Sequence, residues 1–153
     1  MKFNFQPMEQ HHAHAIAGWH YQGPYAFYDM ERDPEDLEEL VDPSSWNDYY
    51  YAVTDDLGDL VGFFSFDREK DVVVIGLGLK PELTGKGWGQ AFFEAGLAFA
   101  REKYHPVTFM LSVASFNQRA INVYRRAGFE DVEVFMNEIN GDQVQFLRMA
   151  RGA

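Results

Sequence analysis

Cysteine is absent from the 153 residues. Disulfides, thiolate metal sites and a cysteine nucleophile are thereby excluded. Long apolar runs are missing too. No stretch approaches the roughly 18 uninterrupted apolar residues of a membrane-spanning helix, and the opening MKFNFQPMEQHHAH lacks the apolar centre of a secretory leader. A cytoplasmic protein with no membrane partner is the expectation. Positive charge is also scarce: 13 Lys and Arg stand against 24 Asp and Glu, a formal net charge of −11. Such a balance repels phosphate backbones and argues against nucleic acid as a partner. A cationic amine suits it better. No repeat, low-complexity tract or Gly/Ser/Pro-rich linker divides the chain, and its length fits one domain over residues 1–153.

Apolar and aromatic residues are plentiful. The chain is 46% hydrophobic, with 14 Phe and 8 Tyr, enough burial to offset chain entropy. Alternating Phe3 and Phe5 predict a strand near residues 2–6, and a helix should follow over 8–20. Residues 34–41, PEDLEELV, read as a short acidic helix with Pro34 in its first turn and Leu37, Leu40 and Val41 on one face. The period then changes to β-rich runs at 49–54, 60–67 and 71–79, the first two joined by a hairpin-type loop at 55–59. A glycine-dense turn at 85–89 leads into a helix over 90–103, closed by Pro106. A buried-strand pattern at 107–113 and a helix at 117–127 ending on Gly128 come next. Strands at 132–138 and 143–149 around Asn140-Gly141 would form a last hairpin. The order β-α-α-β-β-β-α-β-α-β-β predicts an α+β fold with one central mixed sheet.

Chemistry concentrates in LGLKPELTGKGWGQAFF, where a strand ends, the chain turns at Pro81, and Gly85, Gly87 and Gly89 precede a helix. Glycine lets main-chain N–H groups approach a ligand, and a helix start adds unpaired donors and partial positive charge, so a pyrophosphate would be well received. The spacing is wrong for a Walker loop, because Gly87 and Trp88 follow Lys86, and wrong for a G-x-G-x-x-G dinucleotide turn. A glycine turn made only for tight packing stays open. In SVASFNQRAINVYRRAGF, Asn117 opens a helix and Tyr124 lies two turns along the same face. Taken singly, Asn117 is a helix cap and Tyr124 a core aromatic.

Together the two segments resemble the GNAT superfamily of acetyl-CoA-dependent N-acetyltransferases. The family's cofactor loop has the form hydrophobic-x-Pro-x-x-Arg/Gln-Gly-x-Gly-x-Gly/Ala, and residues 79–89 here read LKPELTGKGWG. Its later motif, Asn-x-x-Ala-x-x-x-Tyr-x-x-x-Gly-Phe, is met by Asn117, Ala120, Tyr124, Gly128 and Phe129. Thr84 departs from the pattern, standing where Arg or Gln is usual.

The resemblance implies a mostly antiparallel, twisted mixed sheet of six to seven strands flanked by about four helices. It implies acetyl-CoA as cosubstrate, bound by the strand end at Leu77, Gly78 and Leu79, by Thr84, Gly85, Lys86, Gly87, Trp88, Gly89 and Gln90, and by Asn117. The strand before the loop would splay open, and an N–H near Leu79 would polarise the thioester carbonyl. Tyr124 would hand a proton to the departing sulfur. The acceptor implied is a primary amine of a small molecule or peptide, attacking directly in a ternary complex. An oligomer, if formed, would by family habit be a homodimer. A CoA-binding regulatory module without turnover is the alternative, and a phosphate- or nucleotide-binding domain a third reading.

No general base is assigned. The family position for a glutamate, five residues before the Asn, holds Ser112. Asp29 and Glu31 lie in the segment that lines the acceptor site in this family, and a water-relayed route is equally open. In GWHYQGPYAFYDM the aromatics surround Gly23-Pro24, and with Asp29 they would make a cleft for a cation; Tyr28 and Asp29 are the candidate substrate contacts. A loop pinned to the core by its aromatics is the competing reading. His11, His12, His14 and His20 suggest a metal, but no further ligands stand at suitable spacing, so no metal site is assigned.

Overall fold

Seven strands and four α-helices follow one another in the expected order in a computed structural model that describes residues 1–153. The strands are β1 (Asn4–Pro7), β2 (Tyr50–Thr54), β3 (Leu60–Glu69), β4 (Val72–Leu79), β5 (Thr108–Ala114), β6 (Glu130–Ile139) and β7 (Asp142–Gly152). The helices are α1 (Gln10–Ala17), α2 (Pro34–Val41), α3 (Gly89–Tyr104) and α4 (Gln118–Arg126). The sheet runs β1-β2-β3-β4-β5-β7-β6. Its β1–β2, β2–β3, β5–β7 and β6–β7 pairings are antiparallel, and β4–β5 is parallel. The α+β class with a mostly antiparallel sheet is therefore as the sequence predicts. By its internal contacts the chain divides into two units, Met1–Ser65 with Leu77–Thr84, and Phe66–Gly76 with Gly85–Ala153.

In the first unit, α1 is shorter than the helix expected over 8–20. It stops at Ala17 with Gly18 as its cap. The next side chain, Trp19, packs against Phe63 with ring centroids 6.4 Å apart. A glycine cap stops the helix, and the Trp19 contact beyond it is one that local periodicity cannot report. Helix α2 has the predicted bounds because its local signals agree. Asp33 accepts the Asp36 N–H at 3.3 Å, Pro34 takes the first turn, and Leu40 is fully buried. Met8, Ala13, Ile16, Leu40, Tyr50, Ala52 and Phe63 form this unit's core. The Trp46 indole N–H donates to the Leu40 carbonyl at 2.7 Å.

His12 is buried at the start of α1, where its Nδ1 accepts the Glu9 N–H at 3.1 Å. Burial, helped by neighbouring His11 and opposed by Glu9, lowers its pKa below the usual 6.5. The folded state therefore prefers neutral imidazole. This contribution to stability is whole above pH 6.5 and is lost as pH falls through the lowered value. Thermal unfolding followed from pH 7.5 downward should show a steeper fall in Tm for the native chain than for His12→Gln. Parallel curves would remove His12 as the acid-sensitive group.

In the second unit, Phe92, Phe93, Leu97 and Ala100 of α3 are buried. Phe66 packs between Phe99 and Tyr104, with centroids 5.8 and 5.7 Å away. Helix α3 ends on His105, which turns left-handed at φ 51° just before Pro106. Helix α4 opens on Asn117 and is followed by Gly128 at φ 92°, a backbone region that favours glycine. Asn140 and Gly141 both carry positive φ, 50° and 87°, as a two-residue hairpin turn of the β6–β7 kind requires. The parallel ladder runs from Val72↔Thr108 to Val74↔Met110 and goes no further, although β4 continues to Leu79 and β5 to Ala114.

Candidate functional site

The glycine turn lies in the second unit and is built by its dihedrals. Gly85 and Gly87 have φ of 71° and 85°, both are exposed, and Lys86 between them is exposed as well. Gly89 needs no such freedom: it is the first residue of α3, and its absent Cβ would lie 3.7 Å from Val123. No side chain caps α3, since Trp88 at the N-cap offers none. The first-turn amides of the helix and the turn's own N–H groups therefore form a run of main-chain donors. The Gln90 side chain is engaged elsewhere, donating to the Val123 carbonyl at 3.3 Å and to Glu94 at 3.2 Å. Its carboxamide oxygen is buried without a partner, and its main-chain amide is the donor that remains for an anion.

Arg119 escaped the sequence reading. Its guanidinium lies 3.2 Å from where a Gly85 Cβ would be, so it stands directly over the turn. A chain with a net charge of −11 thus sets a cation beside the donors that an anion would use. The signal was present in the sequence, because Arg119 sits two residues after the helix-capping Asn. Only the packing of α4 shows which way it reaches.

Asn117 is buried, and its carboxamide oxygen accepts the Ala120 N–H at 3.2 Å. The capping reading thus holds, whatever else the residue does. Tyr124 is 8% exposed, and its ring packs on Phe93 at 4.8 Å and Phe129 at 6.4 Å between centroids. The ring is thus packed against an aromatic wall. Ser112 of β5 is exposed and brings no carboxylate.

In the first unit, β4 ends in Leu77, Gly78 and Leu79. Gly78 is required by packing: a Cβ there would meet the Phe63 ring at 2.3 Å. Phe63 itself is buried against Trp19 and Tyr50 and has little room to retreat. Gly78→Ala should cost about 1–3 kcal/mol by overpacking, read as a lower midpoint in denaturant unfolding with the slope unchanged. An unmoved midpoint would mean the ring swings aside freely. The Leu79–Lys80 peptide is fixed on both sides. The Leu79 carbonyl accepts the Tyr21 hydroxyl at 2.8 Å, and the Lys80 N–H donates to the Val61 carbonyl at 2.8 Å. Thr84 directs both its N–H and its hydroxyl at the Pro81 carbonyl, at 3.2 and 2.7 Å. Its donors serve the turn.

The aromatic segment is anchored rather than loose. Burial, with Asp29 and Glu82 nearby, raises the pKa of Tyr21 far above the usual tyrosine range and keeps its phenol a donor. Asp29 is buried, accepting the Tyr21 N–H at 2.8 Å and facing the His20 Nδ1 at 3.1 Å. Tyr28 is half-buried and edge-on to Phe27, with centroids 5.1 Å apart. Of the two expected acceptor contacts, Asp29 therefore acts first on its own segment. Among the histidines, the ligand atoms of Glu9, His11 and His12 lie within 4.8 Å of one another. The His12 Nδ1 already accepts the Glu9 amide and its Nε2 lies 3.0 Å from the Gln6 carboxamide, so an ion there would have to break the start of α1. No helix is long and apolar enough to cross a membrane.

A model of the acetyltransferase (GNAT) family matches residues 13–129. A mycothiol acetyltransferase from Propionibacterium freudenreichii subsp. shermanii is 36% identical over 84 residues, which are 51% of this chain but only 26% of that relative. A solved spermidine N-acetyltransferase from Vibrio cholerae, in complex with CoA and spermine, superposes with a TM-score of 0.78 over 98% of this chain and 95% of the other, at 20% identity. A GNAT-family acetyltransferase from Bacillus anthracis gives a TM-score of 0.79 over 99% and 95%, at 16% identity. At such identities the structural likeness establishes the fold.

Proposed function

The chain belongs to the acetyltransferase (GNAT) family, and on that premise we propose that it moves an acetyl group from acetyl-CoA, the family's donor, to a primary amine. The observation that carries this reading is the turn at Gly85 and Gly87, left-handed at both glycines, exposed, leading into an uncapped helix and overlooked by Arg119. Main-chain donors and one guanidinium suit a diphosphate, and they act locally where the net charge of the chain opposes an anion. The Leu79 end of β4 supplies the main-chain N–H to polarise the thioester carbonyl, an effect of about 3–4 kcal/mol in other enzymes. Asn117 contacts the pantetheine arm and Tyr124 protonates the leaving sulfur.

The acceptor is a cationic amine of a small molecule or a peptide. The acidic balance of the chain favours such a partner. A spermine-bound relative of the same fold is consistent with it.

Arg119→Ala should raise the Kd of acetyl-CoA by roughly tenfold, the size of one charge-assisted contact, with the deficit shrinking as salt increases. Calorimetry at two ionic strengths checks this, and an unchanged Kd would take Arg119 out of the site.

The proposed activity is tested by thiol release from acetyl-CoA against polyamines, amino acids and peptides with free amino termini. Amine-dependent release, with one N-acetyl product per thiol, is expected. Tight binding of acetyl-CoA with no release against any amine would replace the enzyme with a CoA-binding regulatory module.

A further inference from the structure

Neither the motifs nor Ser112 supply a base, yet the attacking amine must lose a proton. The first unit holds a pair suited to the task. His20 presents Nδ1 to the Asp29 carboxylate at 3.1 Å, and its side chain is 62% exposed, whereas that of Asp29 is 10% exposed. A buried carboxylate orients the ring and fixes the proton on Nδ1, so Nε2 is the basic nitrogen of an exposed side chain. Asp29 is itself held in place, since its second oxygen accepts the Tyr21 N–H at 2.8 Å. The Tyr21 hydroxyl in turn donates to the carbonyl of Leu79, the end of β4 to which the thioester is assigned. One short segment therefore ties the imidazole to the strand end by two consecutive hydrogen-bonded residues. An aromatic loop pinned to the core would not need a carboxylate buried behind an exposed imidazole.

We propose that His20, oriented by Asp29, is the general base that takes the proton from the attacking amine, directly or through one bridging water. The inference rests on the acetyl-transfer reading above. The amine nitrogen attacks the thioester carbon and a C–N bond forms, while one N–H bond breaks and its proton passes to the His20 Nε2. On collapse the C–S bond breaks, its electron pair leaves on sulfur, and the sulfur takes a proton from the enzyme. The products are the N-acetyl amine and the free thiol of CoA; His20 returns its proton to solvent, and the group that protonated sulfur takes one back.

One further charged group bears on the pair: Glu31 lies 3.6 Å from the His20 Nδ1, while Glu82 acts on the neighbouring Tyr21 phenol. The hydrogen bond to Asp29 is the main influence raising the pKa of His20 above 6.5, with desolvation opposing it and the charges of Glu31 and Asp29 adding to it. A base of raised pKa is protonated, and idle, over a wider range of acid pH.

The test measures kcat/KM against pH for the native protein, His20→Gln and Asp29→Asn, with thiol release from acetyl-CoA as readout, spermidine as first acceptor, and the rest of the amine panel behind it. The native profile should rise through a limb above pH 6.5 that belongs to His20, and again as the amine itself deprotonates. His20→Gln should lose on the order of 100-fold and the lower limb, keeping only the amine limb. Asp29→Asn should shift the lower limb toward acid, an effect that a merely structural carboxylate would not produce. Because His20 is exposed, its variant should unfold at the native Tm. If the native enzyme turns over and His20→Gln keeps both rate and limb, the base assignment falls while acetyl transfer stands. If no amine gives thiol release with the native protein, both fall together.

Discussion

Gly87→Val is expected to raise the Kd of acetyl-CoA more than 100-fold, about 2.7 kcal/mol, in a protein that still folds. The reason lies in what a side chain at this position would meet. A Cβ on Gly87 finds no protein atom within 4 Å, so the turn has room for it. The backbone does not tolerate it. At φ 85° a β-branched residue is strained by about 1–3 kcal/mol, and relaxing that strain would swing the neighbouring amides out of their common direction. A diphosphate needs several of those amides at about 2.7–3.2 Å, and the valine methyls would occupy that space. Gly87→Ala, with less bulk and the same sign of strain, should lie between. Isothermal calorimetry with a parallel thermal melt separates the two costs: Tm falls modestly and affinity falls heavily. Normal affinity in the valine variant would show that the turn binds nothing.

How much of this was legible in the sequence depends on the range over which each feature is decided. Helix α2 was read to its exact bounds because Asp33, Pro34 and the leucine spacing all act within two turns. Asn117 and Gly128 frame α4 almost as closely, the helix running from Gln118 to Arg126 against an expected 117–127, and Asn140-Gly141 marks the β6–β7 turn although both strands outrun their expected bounds. Helix α1 ends short of its expected bounds because Gly18 caps it, and Trp19 just beyond the cap packs on Phe63, a contact that no local pattern reports. The family motifs pointed to the glycine turn but could not show that Arg119 overlies Gly85, nor that Gly78 yields to the Phe63 ring. The hydrogen bonding of the aromatic segment is least visible in the sequence. Asp29 stands out in the sequence as a candidate substrate contact, but nothing in the letters couples it to His20, or Tyr21 to Leu79 across 58 residues. Periodicity reports neighbours on one element, whereas a site is assembled from ends of several.

Tyr124→Phe should lower kcat by about 100-fold, the lower end of what a positioned acid contributes, while the Kd of acetyl-CoA moves less than about threefold. The structure makes this a clean exchange. The ring is held by Phe93 and Phe129, so phenylalanine keeps the packing and only the hydroxyl is lost. Stability should change by no more than the roughly 1 kcal/mol of one hydrogen bond. The size of the rate effect follows from the chemistry of the leaving group. A phenol of pKa about 10 delivering a proton to a thiolate of pKa about 8.5 works uphill by ~2 kcal/mol. Transfer from Tyr124 as proposed would therefore be concerted with C–S cleavage, when the sulfur carries its developing charge, and would matter most for a poor leaving group. An acetyl thioester of a more acidic thiol should accordingly be far less sensitive to the substitution. If turnover with acetyl-CoA is unchanged in Tyr124→Phe, or if the deficit is the same for both thioesters, the hydroxyl is not the proton donor and its place in α4 is a matter of packing alone.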